Sequence, residues 1–302
     1  EGHGVYDFMH PYQVVIGSWD PEAAKEVGKL YQPLDRPIIY CDPKTAEMTK
    51  LVSNAFRAVK VSFINEIANI CEQLQVDVTQ VAQMIGADKA IGPAFLSAGV
   101  GWGGNCLPKD VITLQYVAKS NNVRPKMLQA ALEINQKQRK GVVEKLRAML
   151  GHLEGRRIGV LGLAYKAGTD DMRAAPSIDV IQGLQKEGAL IQAYDPMARR
   201  AAEAVLSNVI FCDDAYSAAQ GCDALVLLTD WPEFKELDLK RLRSLMAQPF
   251  FVDGRNLFHP VEMAEAGFVY RGTGRGYLSQ LSRQNPRAAR AVYLGKESGT
   301  GN

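Results

Sequence analysis

The sequence predicts an α/β protein in which a helical central domain is followed by a doubly wound parallel-sheet domain, and three observations predict it. From Thr45 to about Leu150 the apolar residues recur at helical spacing. From Arg156 short apolar runs alternate with helical segments. Gly151 and Gly155 stand between the two regions as a helix stop.

Residues 1–44 read as the end of another unit. Tyr12-Gln-Val-Val-Ile-Gly17 is a short apolar strand, Pro21 to Leu30 a short helix, and Pro37-Ile-Ile-Tyr-Cys41 a second extended run closed by Asp42-Pro43. A strand opening the chain in this way is expected where a sheet continues outside it, so this segment reads as the remnant of a preceding domain. In the central region, 45–150, Met48, Leu51, Val52, Phe56, Val59 and Phe63 keep a 3.6-residue stripe, and 126–150 forms a second long amphipathic helix. In the third region, 151–282, strands are expected at Arg157–Leu163, Ala189–Tyr194, Ala224–Leu228 and Phe250–Asp253, with helices at Ser177–Glu187 and Ala198–Leu206. This β-α-β order implies a parallel, Rossmann-like sheet with any ligand at the carboxyl ends of its strands. A basic, polar tail follows at 283–302.

Composition removes several classes of function. The 35 basic and 33 acidic residues leave a net charge of +2, which gives no electrostatic case for nucleic acid or an anionic membrane surface. No run approaches the ~20 apolar residues of a membrane span. Glu1 to His10 lacks the basic-then-apolar pattern of a signal peptide, so a cytoplasmic protein is expected. The cysteines at 41, 71, 106, 212 and 222 are scattered, and the histidines at 3, 10, 152 and 259 fall in no ligand spacing. Neither a disulfide scaffold nor a metal site is expected.

The most informative stretch is Gly99-Val-Gly-Trp-Gly-Gly-Asn-Cys-Leu-Pro-Lys-Asp110. Its glycines permit close approach of backbone to a ligand, and Pro108 suits the first turn of a helix. Cys106 therefore stands at a helix N-terminus beside Lys109, where the helix dipole and the ammonium favour negative charge. Asp110 lies one turn on and is placed to hold or deprotonate a water. No G-x-G-x-x-G follows a strand: Gly159-Val-Leu-Gly162 has the wrong spacing, and Gly272-Thr-Gly-Arg-Gly276 lacks the following helix. Strand 157–163, with Asp195 at the end of the next strand, accordingly does not read as a dinucleotide site.

This stretch is similar to the G-x-G-x-G-G-x-C-x-P-K-D signature of the UDP-glucose and GDP-mannose dehydrogenases, and the resemblance extends over nearly the whole chain. It implies the oxidation of a sugar-nucleotide alcohol twice, with two NAD, through a thiohemiacetal and then a thioester on one cysteine. The sugar nucleotide implied is UDP-glucose, with GDP-mannose or a UDP-hexosamine as alternatives. A reading from another class is a nucleotide-sugar-binding or dimerisation module without chemistry.

The resemblance also assigns residues. Lys50 and Asn54, in Ala46-Glu-Met-Thr-Lys-Leu-Val-Ser-Asn-Ala-Phe56, match a family lysine and asparagine; their i, i+4 spacing puts both on one helical face, suited to a developing oxyanion. With Cys106 and Asp110 they form the catalytic set. Phe95, Leu96, Gly101, Trp102 and Gly103 would line the substrate pocket, Tyr165, Lys166 and Arg255 would contact the sugar nucleotide, and Glu1 matches the second glutamate of the family's E-F-x-x-E segment. Cys106, Lys109 and Arg173 would meet NAD, whose main site is expected on an N-terminal domain preceding residue 1. By this reading the chain alone binds UDP-sugar but reduces no NAD, and it pairs as a homodimer through its central helices. Three positions depart from the family pattern: Ala90 replaces an arginine that enters the neighbouring subunit's site, Trp102 replaces Phe, and Ala174 replaces a common Glu.

Overall fold

A computed structural model describes residues 4–275; Glu1 and the 283–302 tail lie outside the described residues. Helix α1 (Gly4–Met9) precedes strand β1 (Val14–Gly17), helix α2 (Pro21–Tyr31) and strand β2 (Ile38–Cys41). The opening strand has its partner within the chain: β1 pairs with β2 in parallel, Val14 opposite Ile38 and Gly17 opposite Cys41. Helix α2 starts where it does because Pro21 occupies the first turn and the Asp20 carboxylate accepts from the amides of Glu22 and Ala23.

Asp42 caps the next helix in the same way, accepting from Thr45 N at 3.0 Å, with Pro43 in its first turn. That helix, α3 (Pro43–Leu74), runs 32 residues, about 48 Å at 1.5 Å per residue. Its inner face is small and partly polar: Ala55, Ala58, Ser62, Asn65 and Ala68 are buried. Its outer face leaves Met48, Val52, Phe56, Phe63, Ile70 and Leu74 exposed. Helix α4 (Val78–Gly86) follows, and α5 (Cys106–Ser120) and α6 (Lys126–Leu150) pack on the inner face of α3. Gly151, at φ 81°, closes α6.

The third region alternates as its sequence pattern predicts. In order it contains β3 (Arg157–Leu161), α7 (Pro176–Lys186), β4 (Leu190–Tyr194), α8 (Arg199–Glu203), β5 (Val209–Phe211), α9 (Ala215–Ala219), β6 (Ala224–Leu227), α10 (Pro232–Lys235), α11 (Leu239–Leu245), β7 (Phe250–Asp253), α12 (Pro260–Glu265) and β8 (Val269–Arg271). The six strands form one parallel sheet in the order β5-β4-β3-β6-β7-β8. The order reverses at β3 and β6, so their carboxyl ends open into a crevice. β5 and β8 were not expected; each is a three-residue edge strand, too short for a period to register. The main core lies around this sheet and takes in the end of α6 through Val142, Val143, Leu146 and Leu150. That packing joins the helical region to the sheet.

Candidate active site

Helix α5 begins at Cys106 itself, and its N-cap residue Asn105 makes no side-chain capping bond. Pro108 falls within the first turn, where an amide has no helical partner anyway. The thiol is exposed. One turn on, Asp110 is 2% exposed. Its Oδ2 accepts from Lys50 Nζ at 2.6 Å and from Asn54 Nδ2 at 2.6 Å, and Lys109 Nζ stands 3.7 Å from Oδ1. Arg57 Nη1 donates to Asn54 Oδ1 at 3.3 Å, which fixes the amide with its nitrogen toward Asp110. Lys50, Asn54 and Asp110 are thus one cluster bridging α3 and α5, with Cys106 one helical turn before Asp110.

Burial pushes the Asp110 carboxyl up, but the hydrogen bonds from Lys50 and Asn54 and the charges of Lys50 and Lys109 outweigh it and hold the group below its ordinary range. A carboxyl depressed by folding stabilises the fold above its unfolded pKa of about 3.9, and the contribution is lost as pH falls through the lower folded value. Denaturant midpoints measured against pH should therefore drop more steeply below pH ~4 in the wild type than in Asp110→Asn. Parallel profiles would show that Asp110 is not linked to folding.

The loop ahead of Cys106 is pressed between α6 and the sheet domain. A Cβ on Gly103 would lie 2.3 Å from the Ala174 carbonyl oxygen, and one on Gly104, at φ 82°, 2.8 Å from the Tyr165 ring. Only glycine fits so close to those neighbours. Gly104 N donates to Arg173 O at 2.9 Å, and Val100 N to Gly254 O at 2.7 Å. Arg255 reaches the same place: its guanidinium donates to Leu228 O at 2.8 Å, Tyr165 O at 3.0 Å and Gly101 O at 3.4 Å. The structure therefore brings Gly101, Gly103, Tyr165 and Arg255 together beside the Cys106 turn. Lys166 Nζ lies 6.0 Å from the centre of the Tyr165 ring.

Other expected residues are placed differently. Trp102 turns its ring into the helical core: it is 6% exposed, packs with Ala55, Ala58 and Val111, and donates Nε1 to Ser62 Oγ at 3.0 Å. Its indole is larger and more polar than phenylalanine, and the helical core supplies both the space and the acceptor. Leu96 is buried, yet it borders a cavity of about 290 Å³ with Pro93, Ser97, Arg255 and Asn256. Phe95 is exposed at φ 64°, a strained conformation for an aromatic residue, with the Arg57 guanidinium 5.5 Å from its ring centre. Arg173 is held by its neighbour Asp171 in a fork, Nε to Oδ1 at 2.9 Å and Nη2 to Oδ2 at 2.8 Å. Asp171 thus anchors an arginine and does not cap α7. Ala90 and Lys89 are exposed in a loop whose Ile91 and Gly92 carbonyls accept from Lys60 Nζ at 2.7 and 2.9 Å.

The residues at the carboxyl end of β3 do not fit a dinucleotide. The amides of Leu163 and Ala164, where a pyrophosphate would be cradled, already donate to Asp195 Oδ2 at 2.6 and 3.0 Å. Trp231 Nε1 and the amides of Met197 and Ala198 take up the rest of that carboxylate. Asp195 is 5% exposed and has no free face for a ribose.

Sequence reasoning missed the side chains that hold the loop from the far side: Asn135 and Arg139 on α6, and Ser62 and Asn65 on α3. Their signal was polar residues falling on the otherwise small, apolar inner faces of long helices.

The central-domain model of the UDP-glucose/GDP-mannose dehydrogenase family matches residues 44–137, and the model of that family's UDP binding domain matches 159–260. The chain is 46% identical over 276 residues to the UDP-glucose 6-dehydrogenase TuaD of Bacillus subtilis, covering 91% of this chain and 60% of that protein. It is 39% identical over 280 residues to the UDP-glucose 6-dehydrogenase of Rickettsia bellii, covering 91% and 64%. Among solved structures, a UDP-glucose dehydrogenase from the archaeon Pyrobaculum islandicum matches with a TM-score of 0.83 at 34% identity, over 89% of this chain and 60% of that one. A UDP-D-ManNAc dehydrogenase from Pyrococcus horikoshii matches with a TM-score of 0.77 at 29% identity, over 90% and 62%. The chain spans about three fifths of the length of these relatives.

Proposed function

Because the chain belongs to the UDP-glucose/GDP-mannose dehydrogenase family, we propose that it supplies the thiol, the helical scaffold and the sugar-nucleotide domain of an enzyme that oxidises the C6 alcohol of UDP-glucose to the carboxylate. The observation that carries this reading is the exposed Cys106 one turn from a buried Asp110 that holds both Lys50 and Asn54.

When bound, NAD would accept the two hydrides; the carboxyl end of β3 does not fit it. The chain's own groups account for the rest. The Cys106 sulfur adds to the C6 aldehyde, forming a C–S bond and placing negative charge on the former carbonyl oxygen. The Lys50 ammonium and the Asn54 amide keep hydrogens beyond those given to Asp110 and are suited to that charge. The adduct is a thiohemiacetal once its oxygen is protonated, and a thioester after the second oxidation. Water then adds to the thioester carbonyl, the C–S bond breaks, and the acid leaves with the thiol restored. Asp110 holds the two donors in register and borders the path of that water. Lys166 is suited to the diphosphate, and Arg255 fixes the loops around it. A second copy would cover the exposed apolar face of α3, as the homodimer reading requires.

The test uses the 302-residue chain as it stands. Calorimetric titration should show binding of UDP-glucose, tighter than UDP-N-acetylhexosamine or GDP-mannose, and a mixture with NAD should produce no NADH. Absence of any sugar-nucleotide binding would reject the assignment. NADH formation by this chain alone would reject the absence of a main NAD site.

A further inference from the structure

The loop that delivers Cys106 has no helix or strand of its own, so its shape is imposed from outside. The sheet domain holds one side, through Gly254 O, Arg173 O and Arg255. Side chains of the helical domain hold the other. Gly99 N donates to Asn65 Oδ1 at 2.8 Å, and Gln138 Nε2 secures Asn65 through its carbonyl at 2.8 Å.

At Trp102 one carboxamide takes both backbone groups. Asn135 Oδ1 accepts from Trp102 N at 2.8 Å and Asn135 Nδ2 donates to Trp102 O at 3.0 Å, as a neighbouring strand would. Asn135 is 4% exposed. One turn on, Arg139 Nη2 donates to the same carbonyl at 2.7 Å and to Ala174 O at 3.4 Å, while Nη1 pairs with Asp179 on α7. Only Gly103, Gly104 and Asn105 separate Trp102 from the thiol, and both glycines are wedged against the sheet domain. Whatever fixes Trp102 therefore fixes the first turn of α5.

We propose that Asn135 is a positioning residue for Cys106: its carboxamide sets the height of the glycine loop from the α6 side, and Arg139 ties that setting to α7. This inference rests on Cys106 being the nucleophile, and it concerns how the sulfur is aimed. It assigns Asn135 no contact with substrate.

The test compares Asn135→Leu, close in shape and without either hydrogen bond, with the wild-type chain. Alkylation by iodoacetamide is followed at each cysteine by peptide mass spectrometry across pH. The Cys106 rate constant should change by about tenfold, because the turn that presents the thiol at the start of α5 is displaced and a thiol's reactivity follows its local charge and access. Cys212, in the sheet domain, serves as the internal control and should react unchanged. The dissociation constant for UDP-glucose should stay within about twofold, since no binding group is altered. A folded Asn135→Leu whose Cys106 reacts at the wild-type rate, or whose Cys212 changes equally, overturns the proposal. Should that variant fail to fold, Arg139→Gln keeps both Asn135 bonds and removes the second donor on the Trp102 carbonyl together with the ties to Ala174 O and Asp179. A shift of Cys106 alone then supports the inference, and none overturns it. Failure of UDP-glucose to protect wild-type Cys106 from alkylation would instead reject the functional reading.

Discussion

Replacing Cys106 by serine, in an enzyme assembled from this chain and an NAD-binding domain, is expected to reduce formation of the acid by on the order of 10³-fold or more. The alkoxyl of serine adds far less readily to an aldehyde, and its ester is a poorer acyl donor to water than a thioester. The first oxidation does not need the sulfur, so the aldehyde should still form and either escape or return to alcohol. Product analysis should show UDP-sugar aldehyde where the wild type yields the uronate. The geometry makes this a clean substitution: Cys106 is exposed at the first position of α5 and supports no core. Uronate formation at the wild-type rate would remove the covalent role.

Lys50→Met should lower kcat by about 10²- to 10³-fold with little change in KM, the cost of losing one donor to a developing oxyanion. The side chain is 61% exposed while its partner Asp110 is 2% exposed, so on the proposed reading the ammonium would meet the substrate from the solvent side. The variant should still fold but lose about 1–3 kcal/mol of stability, because a buried carboxylate gives up one of its donors. Asn54 and Lys109 remain to satisfy Asp110. A rise in KM at constant kcat would instead mean that Lys50 binds the ground state. Asn54→Ala, which removes the other donor, provides the parallel measurement.

The parts of the site that were legible in the sequence are those with short-range grammar. Lys50 and Asn54 stand at i and i+4; Cys106 and Asp110 stand one turn apart behind a glycine run and a proline. In each case spacing fixes geometry before any tertiary contact forms. What was illegible depends on docking between distant segments. Asn135 lies 33 residues from Trp102, and Arg255, singled out only through the family resemblance, makes its loop contact 154 residues away at Gly101. A periodicity reading treats such polar residues as solvated faces. The setting of Trp102 was illegible for a related reason: position in a glycine loop says nothing about which way a large ring turns, and here the small residues Ala55 and Ala58 leave it room in the core. The strands β3, β4, β6 and β7 announced themselves by apolar runs, while β5 and β8 are set by pairing with a neighbour.

The Asp195 carboxylate, saturated by five N–H donors, is in effect a resident anion in the cradle where this type of sheet otherwise holds a phosphate. A cradle filled by the chain's own residue cannot be emptied by dilution or competed away by a nucleotide. On the function proposed above, an arriving diphosphate would meet Lys166 and the Arg255 side of the crevice instead. One covalently tethered acid thus decides which half of a symmetric-looking sheet edge remains open to guests.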